Sequence, residues 1–375
     1  MSSLLPTFED LSAEQEAVYR LPLDRSSLVS GPPGTGKTVL ALYRAQRLMR
    51  SKSGFRLITH ARPLMQYVSG AAAQLGIDGS VDTFHSFLWK WWRSRGRRSV
   101  PSIANYRYDW NRIVADLEAA PATEAFRHLV VDEGQDIPPM FWIVQKWLTP
   151  SLTVFADENQ RITEDNSTLR EIISSSGIRD SSHHRLTRNY RNTAEIHAVA
   201  TVFDVGLDGT TVEAPSRSGD PPEMLRFDNS RQDVDFIARV ARLRRDWQIG
   251  VLVQRDSVRK KLVNQLEHRL GDRDDPEVQT YNAELGRAGI ELDWTVPGIF
   301  VLCYQSAKGL QFDHVFLPRL ETATGDPGDE LLRMQFYVLV TRARHALTVS
   351  WTGPPESSRP TLADMFPTHL MELDE

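Results

Sequence analysis

The chain has 375 residues, 41% hydrophobic and 25% charged, which is enough for a sizeable core and two or three domains. Its 44 basic and 49 acidic residues give a net charge of −5, which argues against a protein that coats nucleic acid through bulk positive charge. The lone cysteine, Cys303, argues against a disulfide framework, and no apolar run reaches the roughly 18 residues that cross a bilayer. We therefore expect a cytoplasmic protein without a membrane partner.

Short apolar segments alternate with amphipathic segments along the chain. Strands are predicted, in chain order, at 28–30, 55–59, 128–131, 152–156, 249–253, 299–304, 315–317 and 347–351. Helices are predicted at 13–20, 39–50, 257–270 and 331–341. This alternation predicts the α/β class with parallel sheets. We expect two domains, 1–195 and 196–375, with small insertions at about 87–125 and 255–297.

A complete phosphate-binding motif lies between the first predicted strand and the following helix. Its residues are Gly31, Pro32, Pro33, Gly34, Thr35, Gly36, Lys37 and Thr38. Such a loop turns backbone N–H groups toward phosphates, and the helix N-terminus adds partial positive charge. Lys37 is expected to reach the β- and γ-phosphates and Thr38 to bind Mg²⁺. A Gly/Pro-rich turn with a chance lysine is the alternative, but the full motif in this context favours a nucleoside triphosphate.

Two adjacent carboxylates follow the strand predicted at 128–131. Asp132 suits the Mg²⁺ shell, and Glu133 suits the group that orients or deprotonates the attacking water. By themselves they would equally fit a solvated strand end. Behind a full phosphate loop they favour hydrolysis, and they disfavour a small-molecule kinase, which does not need the second carboxylate.

From about residue 11 to residue 351 the sequence resembles the UvrD/Rep-type superfamily 1 helicases. The matching segments are LSAEQEAV, GPPGTGKT, TFHSF, VVDEGQD, FADENQ, TRNYRNT, YQSAKGLQFDHVFL and VLVTRAR, in the order that the family has. The last three are the most informative, because a phosphate loop alone occurs in many folds. The resemblance implies two RecA-like P-loop NTPase domains that bind ATP and Mg²⁺.

The resemblance also implies roles for single residues. Gln15 would read the adenine edge, although it also fits a helix capping box with Ser12. Gln160 would sense the γ-phosphate, Tyr190 would stack on the adenine, and two arginines, Arg191 and Arg342, would contact the γ-phosphate. The alternative for the arginines is surface pairing with acidic residues.

The loop at 306–312, which includes Gly309 and Gln311, would couple ATP to nucleic acid. Several family features are replaced here. His60 stands where an aromatic base-stacking residue is usual, Gln305 where a histidine is common, and 161–165 where the family continues into a tyrosine and a tryptophan. The family's ATP-site residues are therefore matched better in this sequence than its nucleic-acid contacts. We keep His60 and Gln305 as candidate nucleic-acid contacts.

Further nucleic-acid candidates lie at the first insertion. Phe84 and His85 are candidate contacts, with ordinary packing as an equal alternative. Residues 90–98 hold five cations beside tryptophans, a pattern that fits single-strand binding or an amphipathic helix. We expect the tryptophans, Trp89 and Trp92, to lie in the core. We expect the arginines, Arg95, Arg97 and Arg98, to contact nucleic acid.

Two functions follow as hypotheses. The first is an ATP-dependent motor on single-stranded or partly single-stranded DNA, a translocase or 3′–5′ helicase, the polarity being what the resemblance implies. The second is a regulatory ATPase that senses nucleic acid and controls a protein partner such as a nuclease. The motor is the leading hypothesis, and the replaced stacking residues and the short insertions are the features that favour the alternative.

Overall fold

A computed structural model describes residues 7–77, 79–104, 106–120, 126–157, 160, 166–206, 212–354 and 356–374. They fall into two compact units that divide between Thr187 and Arg188. The segment 188–195, which the sequence analysis placed with the first half, thus belongs to the second unit. The physical reason lies at Asn192, whose amide nitrogen donates to the carbonyl oxygen of Ala343.

Unit 1 is built on a six-stranded sheet flanked by helices. Its sheet strands are β1 (Ser27–Ser30), β2 (Phe55–Thr59), β3 (Val81–Thr83), β6 (His128–Val131), β7 (Leu152–Ala156) and β8 (His183–Arg185). They lie in the order β3-β2-β6-β7-β1-β8, and every neighbouring pair is parallel. The carboxyl ends of all six strands therefore meet at one edge, which is where open α/β sheets bind ligands.

In the described part of unit 1, seven α-helices and one hairpin accompany this sheet. The helices are α1 (Ala13–Tyr19), α2 (Lys37–Arg50), α3 (Arg62–Gln74), α4 (Phe84–Ser94), α5 (Trp110–Ala119), α6 (Phe141–Val144) and α7 (Leu169–Ser176). The hairpin consists of the antiparallel strands β4 (Ser102–Ala104) and β5 (Arg107–Tyr108). The region predicted as an insertion at 87–125 thus carries most of α4, this hairpin and α5, and its residues 105 and 121–125 lie outside the described residues.

The core of unit 1 follows from periodic apolar residues. Strands β1, β6 and β7 are buried along their whole length, as expected for central strands of a sheet covered on both faces. In α4 the buried residues recur at helical spacing, which explains why one face enters the core. They are Phe84, Phe87, Leu88, Trp91 and Trp92.

Unit 2 is built on a seven-stranded sheet. Its strands are β9 (Glu223–Phe227), β10 (Gln248–Val253), β11 (Val278–Tyr281), β12 (Gly298–Cys303), β13 (Phe312–Leu317), β14 (Ala343–Thr352) and β15 (Glu372–Asp374). They lie in the parallel order β11-β12-β10-β13-β14-β9-β15. Its helices are α8 (Ala194–Thr201), α9 (Ser230–Leu243), α10 (Asp256–Arg269), α11 (Ala283–Arg287) and α12 (Glu330–Val340).

The predicted α/β class with two parallel sheets is confirmed. The interpretation of 255–297 as an insertion needs correction, because β11 pairs with β12 in the sheet and α10 packs against α9. Only the short α11 and its flanking turns lie outside that framework. Predicted strands such as 55–59, 128–131 and 152–156 have the bounds that the structure shows.

Candidate nucleotide-binding site

The phosphate loop connects β1 to α2 at the carboxyl edge of the unit 1 sheet. Gly34 and Gly36 adopt left-handed backbone conformations, with φ of +85° and +87°, which glycine reaches without the steric cost of a side chain. Thr35 is fully buried and its hydroxyl donates to the carbonyl of Pro32 at 3.0 Å. A hydrogen bond between two residues of the loop therefore stabilises its conformation.

Lys37, the first residue of α2, reaches back over the loop. Its Nζ donates to the carbonyl oxygens of Gly31 and Pro32 at 2.5 and 2.9 Å, and lies 3.3 Å from Oδ2 of Asp157. The ammonium group is almost completely buried, so these oxygens replace the water that it has lost. The same oxygen of Asp157 accepts a 2.6 Å hydrogen bond from the Gln160 amide. Lys37 and Gln160, both predicted site residues, thus meet at one carboxylate.

Asp132 follows β6 directly and is buried at the same edge. Neither of its carboxylate oxygens makes a hydrogen bond of ordinary length and geometry to the residues that the structure describes. Burial, and next the charge of Glu133, raises the pKa of Asp132, while the Thr38 hydroxyl and the Lys37 ammonium partly oppose this shift. A buried carboxylate beside a threonine hydroxyl fits a hydrated Mg²⁺ ion, which prefers oxygen ligands. Asp132 and Thr38 are therefore suited to hold the metal.

Glu133 occupies a strained backbone conformation, with φ of +57° in the left-handed region. This conformation costs a non-glycine residue about 1–2 kcal/mol, and the residue is buried. Oε2 of Glu133 accepts a 2.5 Å hydrogen bond from the amide of Gln135. The carbonyl oxygen of the same Gln135 amide accepts the backbone N–H of Asp157 at 3.0 Å. Gln135 therefore fixes Glu133 against the end of β7.

Gln15 satisfies the helix-capping alternative and also contacts the phosphate loop. Its Oε1 accepts the backbone N–H of Ser12 at 3.0 Å, and its backbone N–H donates to the Ser12 hydroxyl at 3.3 Å. Its Nε2 donates to the carbonyl of Thr35 at 3.0 Å. The capping box is thus present, and the adenine contact stays a prediction for a residue already placed beside the loop.

In unit 2, the two predicted arginines converge on Thr341. Nη1 of Arg191 donates to the Thr341 carbonyl, and Nη2 of Arg342 donates to the Thr341 hydroxyl, both at 3.3 Å. Arg342 is buried and also donates to the carbonyls of Val338 and Leu310 at 2.8 and 3.2 Å. The backbone N–H of Arg191 is fixed by the side-chain oxygen of Asn189 at 2.9 Å. Arg342 is buried and Arg191 is half-buried, so neither is a fully exposed surface arginine.

The predicted coupling loop meets the same cluster, because Leu310 accepts the Arg342 hydrogen bond. Gly309, next to it, has φ of +77°, which a side chain would strain. Gln311 is half-buried and Gln305 is exposed. Tyr190, assigned to adenine stacking, is 40% exposed and has the guanidinium of Arg188 5.9 Å from its ring centroid.

The predicted nucleic-acid residues of unit 1 separate into buried and exposed ones. Phe84 has no exposed surface and packs edge-on against Phe141, so its assignment as a base contact is replaced by core packing. His60 is exposed, and its ring lies 5.8 Å from that of His85. Burial, with a smaller contribution from His60, lowers the pKa of His85 to about 4, and its Nδ1 lies 2.9 Å from the Tyr108 hydroxyl.

The aromatic and basic segment after His85 likewise contains both packed and exposed residues. Trp92 is in the core as expected, but the expectation for Trp89 was wrong: it is 47% exposed because it falls on the opposite face of α4. Arg97 lies over the Trp92 ring and pairs with Asp116 at 2.5 Å, which favours packing for this residue. Arg95 donates to a backbone carbonyl, whereas Arg98 is exposed. The segment 161–165, where family stacking residues are replaced, lies outside the described residues.

Three residues that hold candidate site residues in place were not singled out in the sequence. Gln135 lies four residues after the end of β6 in the matching segment VVDEGQD, and Asp157 directly follows β7 in FADENQ; membership of these segments was the available signal. Asn189 precedes Arg191 in the segment TRNYRNT, and its role in fixing the arginine required the folded backbone.

Within the described ranges, no group of three or more histidine, cysteine, aspartate or glutamate side chains is arranged to hold a metal by protein ligands alone. In the part of the chain covered by the structure, no helix has the length and apolarity required to cross a membrane.

Comparisons with known proteins match each unit separately. Residues 14–165 match a family model described as an AAA domain, and residues 298–350 match one described as the UvrD-like helicase C-terminal domain. A comparison with curated proteins gave no match. Among solved structures, the C-terminal domain of a possible DNA helicase from Lactobacillus plantarum WCFS1 is 24% identical, with 50% of this chain and 99% of that chain covered and a TM-score of 0.37.

Proposed function

The chain belongs to the UvrD-like helicase family, and we propose that it is an ATP-hydrolysing motor that moves along single-stranded DNA. Domains of this family imply nucleotide binding and a nucleic-acid-dependent ATPase. The finer proposal is a translocase or 3′–5′ helicase. The observation that supports ATP hydrolysis is the site in unit 1, where Lys37, Asp132 and Glu133 lie at one sheet edge, whereas the polarity is what the resemblance to the family implies.

The residues of this site divide the work of hydrolysis. Lys37 is suited to the β- and γ-phosphates, since its present partners are loop carbonyls and one carboxylate that phosphates can replace. Mg²⁺, when bound, would neutralise phosphate charge, with Thr38 and Asp132 as its protein contacts. Glu133 is placed to orient or deprotonate the attacking water, and Gln135 holds its carboxylate.

We assign Gln160 to sensing the γ-phosphate, because it shares the Asp157 carboxylate with Lys37. We assign Arg191 and Arg342 to the charge on the γ-phosphoryl group, for which one arginine is typically worth about 10³–10⁵ in rate. The hydrogen bond from Arg342 to Leu310 supports the loop 306–312 as the route by which nucleotide state reaches nucleic acid. Gln15 and Tyr190 are the proposed adenine contacts.

The test is steady-state ATP hydrolysis by the full chain without polymer and with single-stranded DNA, duplex DNA or RNA. The control is Glu133→Gln, which keeps an oxygen for the Gln135 amide but removes the carboxylate. Strong stimulation by single-stranded DNA that is lost in Glu133→Gln supports the motor. Hydrolysis that is indifferent to every polymer contradicts it.

The second candidate is a regulatory ATPase that controls a protein partner such as a nuclease. It is favoured by the burial of Phe84, which removes one expected base contact. Displacement of streptavidin from a biotinylated end of single-stranded DNA separates the two functions. A motor of the proposed polarity displaces it from the 5′ end faster than from the 3′ end, whereas a switch displaces neither while still hydrolysing ATP.

A further inference from the structure

The hairpin β4–β5 presents apolar side chains to solvent without a core to bury them. Ile103 is 74% exposed and Tyr106 is 66% exposed, and all three residues of β4 are exposed. Two-stranded hairpins are marginally stable in water, so such side chains gain little from folding alone. Both residues lie in the insertion between β3 and β6, outside the motifs that define the nucleotide site.

Tyr106 is held in an uncommon backbone conformation. Its φ of +60° lies in the left-handed region, which is unfavourable for an aromatic residue. The result of this conformation is a specific ring contact, because the Tyr106 ring lies 4.8 Å from that of His85. The Tyr108 hydroxyl, two residues further along the chain, lies 2.9 Å from Nδ1 of the same histidine, so Tyr106 and Tyr108 both contact α4 through His85.

The rings form a continuous series at the carboxyl edge of the sheet. The His85 ring lies 5.8 Å from that of His60, which directly follows β2. His85 follows β3, and β2 pairs with β6, the strand that leads into Asp132. The series His60, His85 and Tyr106 therefore begins one strand away from the proposed metal site and ends on the exposed hairpin.

We propose that Tyr106 is a stacking platform for the bases of single-stranded nucleic acid, lying outward of the candidate contacts His60 and His85. This inference rests on the proposed function and adds a binding residue to it. Aromatic rings stack on unpaired bases irrespective of sequence, and duplex bases are not available for such contacts. The exposed Arg107 of β5 is beside Tyr106 in the chain and supplies a cation for the phosphate backbone.

The test compares the affinity of the full chain for a fluorescent single-stranded oligonucleotide and for a duplex. Tyr106→Ala should weaken single-strand binding by about 5- to 150-fold, the range typical of one lost stacking contact. Tyr106→Phe keeps the ring and should bind within about twofold of wild type. Duplex binding should be unchanged in both variants.

Two further measurements separate stacking from other causes. Tyr106→Ala should leave the slope of log affinity against log salt unchanged, whereas Arg107→Ala should reduce it by about 0.7, as expected for one phosphate contact on a single strand. Trp89→Ala is the matched control, because Trp89 is also an exposed aromatic of the insertion but lies under the Arg93 guanidinium. It should bind normally.

The inference is overturned if wild type binds single-stranded DNA and Tyr106→Ala binds equally well, or if Tyr106→Ala and Trp89→Ala weaken binding equally. In those cases the proposed motor function still stands. If wild type binds no polymer at all, the proposed function fails and this inference fails with it. Polymer-free ATP hydrolysis and far-ultraviolet circular dichroism should be unchanged in Tyr106→Ala, which checks that the variant is folded.

Discussion

Replacement of Gln135 by leucine isolates the positioning of Glu133. The Gln135 amide donates to the Glu133 carboxylate at 2.5 Å, and both residues are buried. A hydrogen bond to a charged group is typically worth about 1.5–3 kcal/mol. If that energy serves to hold the carboxylate in its reactive orientation, its loss lowers kcat by about 10- to 150-fold. Nucleotide affinity should change by less than about threefold, because the substitution leaves Lys37 and the phosphate loop in place. A threefold change in affinity corresponds to less than about 1 kcal/mol.

The assay is single-stranded DNA-stimulated ATP hydrolysis at saturating ATP, together with titration of a fluorescent ATP analogue. Leucine also leaves the backbone N–H of Asp157 without its 3.0 Å acceptor, which should lower the stability of unit 1 by about 1–3 kcal/mol. A purely structural effect must therefore be separated from a catalytic one.

The matched control for this purpose is Gln145→Leu. Gln145 is also buried in unit 1, and its amide donates to the Ser176 carbonyl at 3.2 Å, away from the nucleotide site. We expect this variant to lose stability but to keep kcat. The reasoning is refuted if Gln135→Leu retains full kcat, or if Gln145→Leu loses kcat to the same extent at a temperature where both are folded.

Three other predictions concern stability, measured by urea unfolding. Gly36→Ala should lower the free energy of unfolding more than Gly177→Ala. Both glycines have φ near +80°, at +87° and +79°, so the backbone strain is similar. A Cβ at Gly36 would lie 2.5 Å from the Gln15 amide, whereas no atom lies within 4 Å of a Cβ at Gly177. Burial lowers the pKa of His128 to about 3, so between pH 7.5 and 5.5 only the unfolded chain takes up its proton. Stability should therefore fall by about 1.4 kcal/mol through this residue as the pH drops, and His128→Gln should remove that part of the pH dependence. Arg342→Lys should destabilise unit 2 by about 1–3 kcal/mol, since lysine cannot reproduce the three hydrogen bonds of the guanidinium. The control is Arg344→Lys, at a half-exposed position, which should change the stability of unit 2 by less than about 0.5 kcal/mol.

These predictions have clear contrary outcomes. Equal costs at the two glycines would show that the Gln15 contact yields without penalty. An unchanged pH dependence in His128→Gln would mean that this imidazole is protonated in the folded state. Equal effects of the two arginine substitutions would show that the buried contacts of Arg342 do not stabilise unit 2.

The α/β class and the central strands were predictable because both depend on local sequence. Buried parallel strands such as β6 and β7 read as continuous apolar runs, and the phosphate loop has a residue pattern imposed by its chemistry. Edge strands such as β3 and β8 have only three residues each, too few to produce a periodic signal. The strand β11 was predicted as part of an insertion because its own residues do not indicate that it pairs with β12.

By itself the sequence determined which residues are candidates for nucleotide chemistry, since Lys37, Asp132 and Glu133 are recognisable from their types and their positions after strands. Only the tertiary structure decided how they are connected. The link from Glu133 through Gln135 to Asp157 joins the ends of two parallel strands, and Phe84 was moved from candidate contact to core by the face of α4 on which it lies. Burial and contact between distant segments depend on how the strands are ordered in the sheet, which no local pattern specifies.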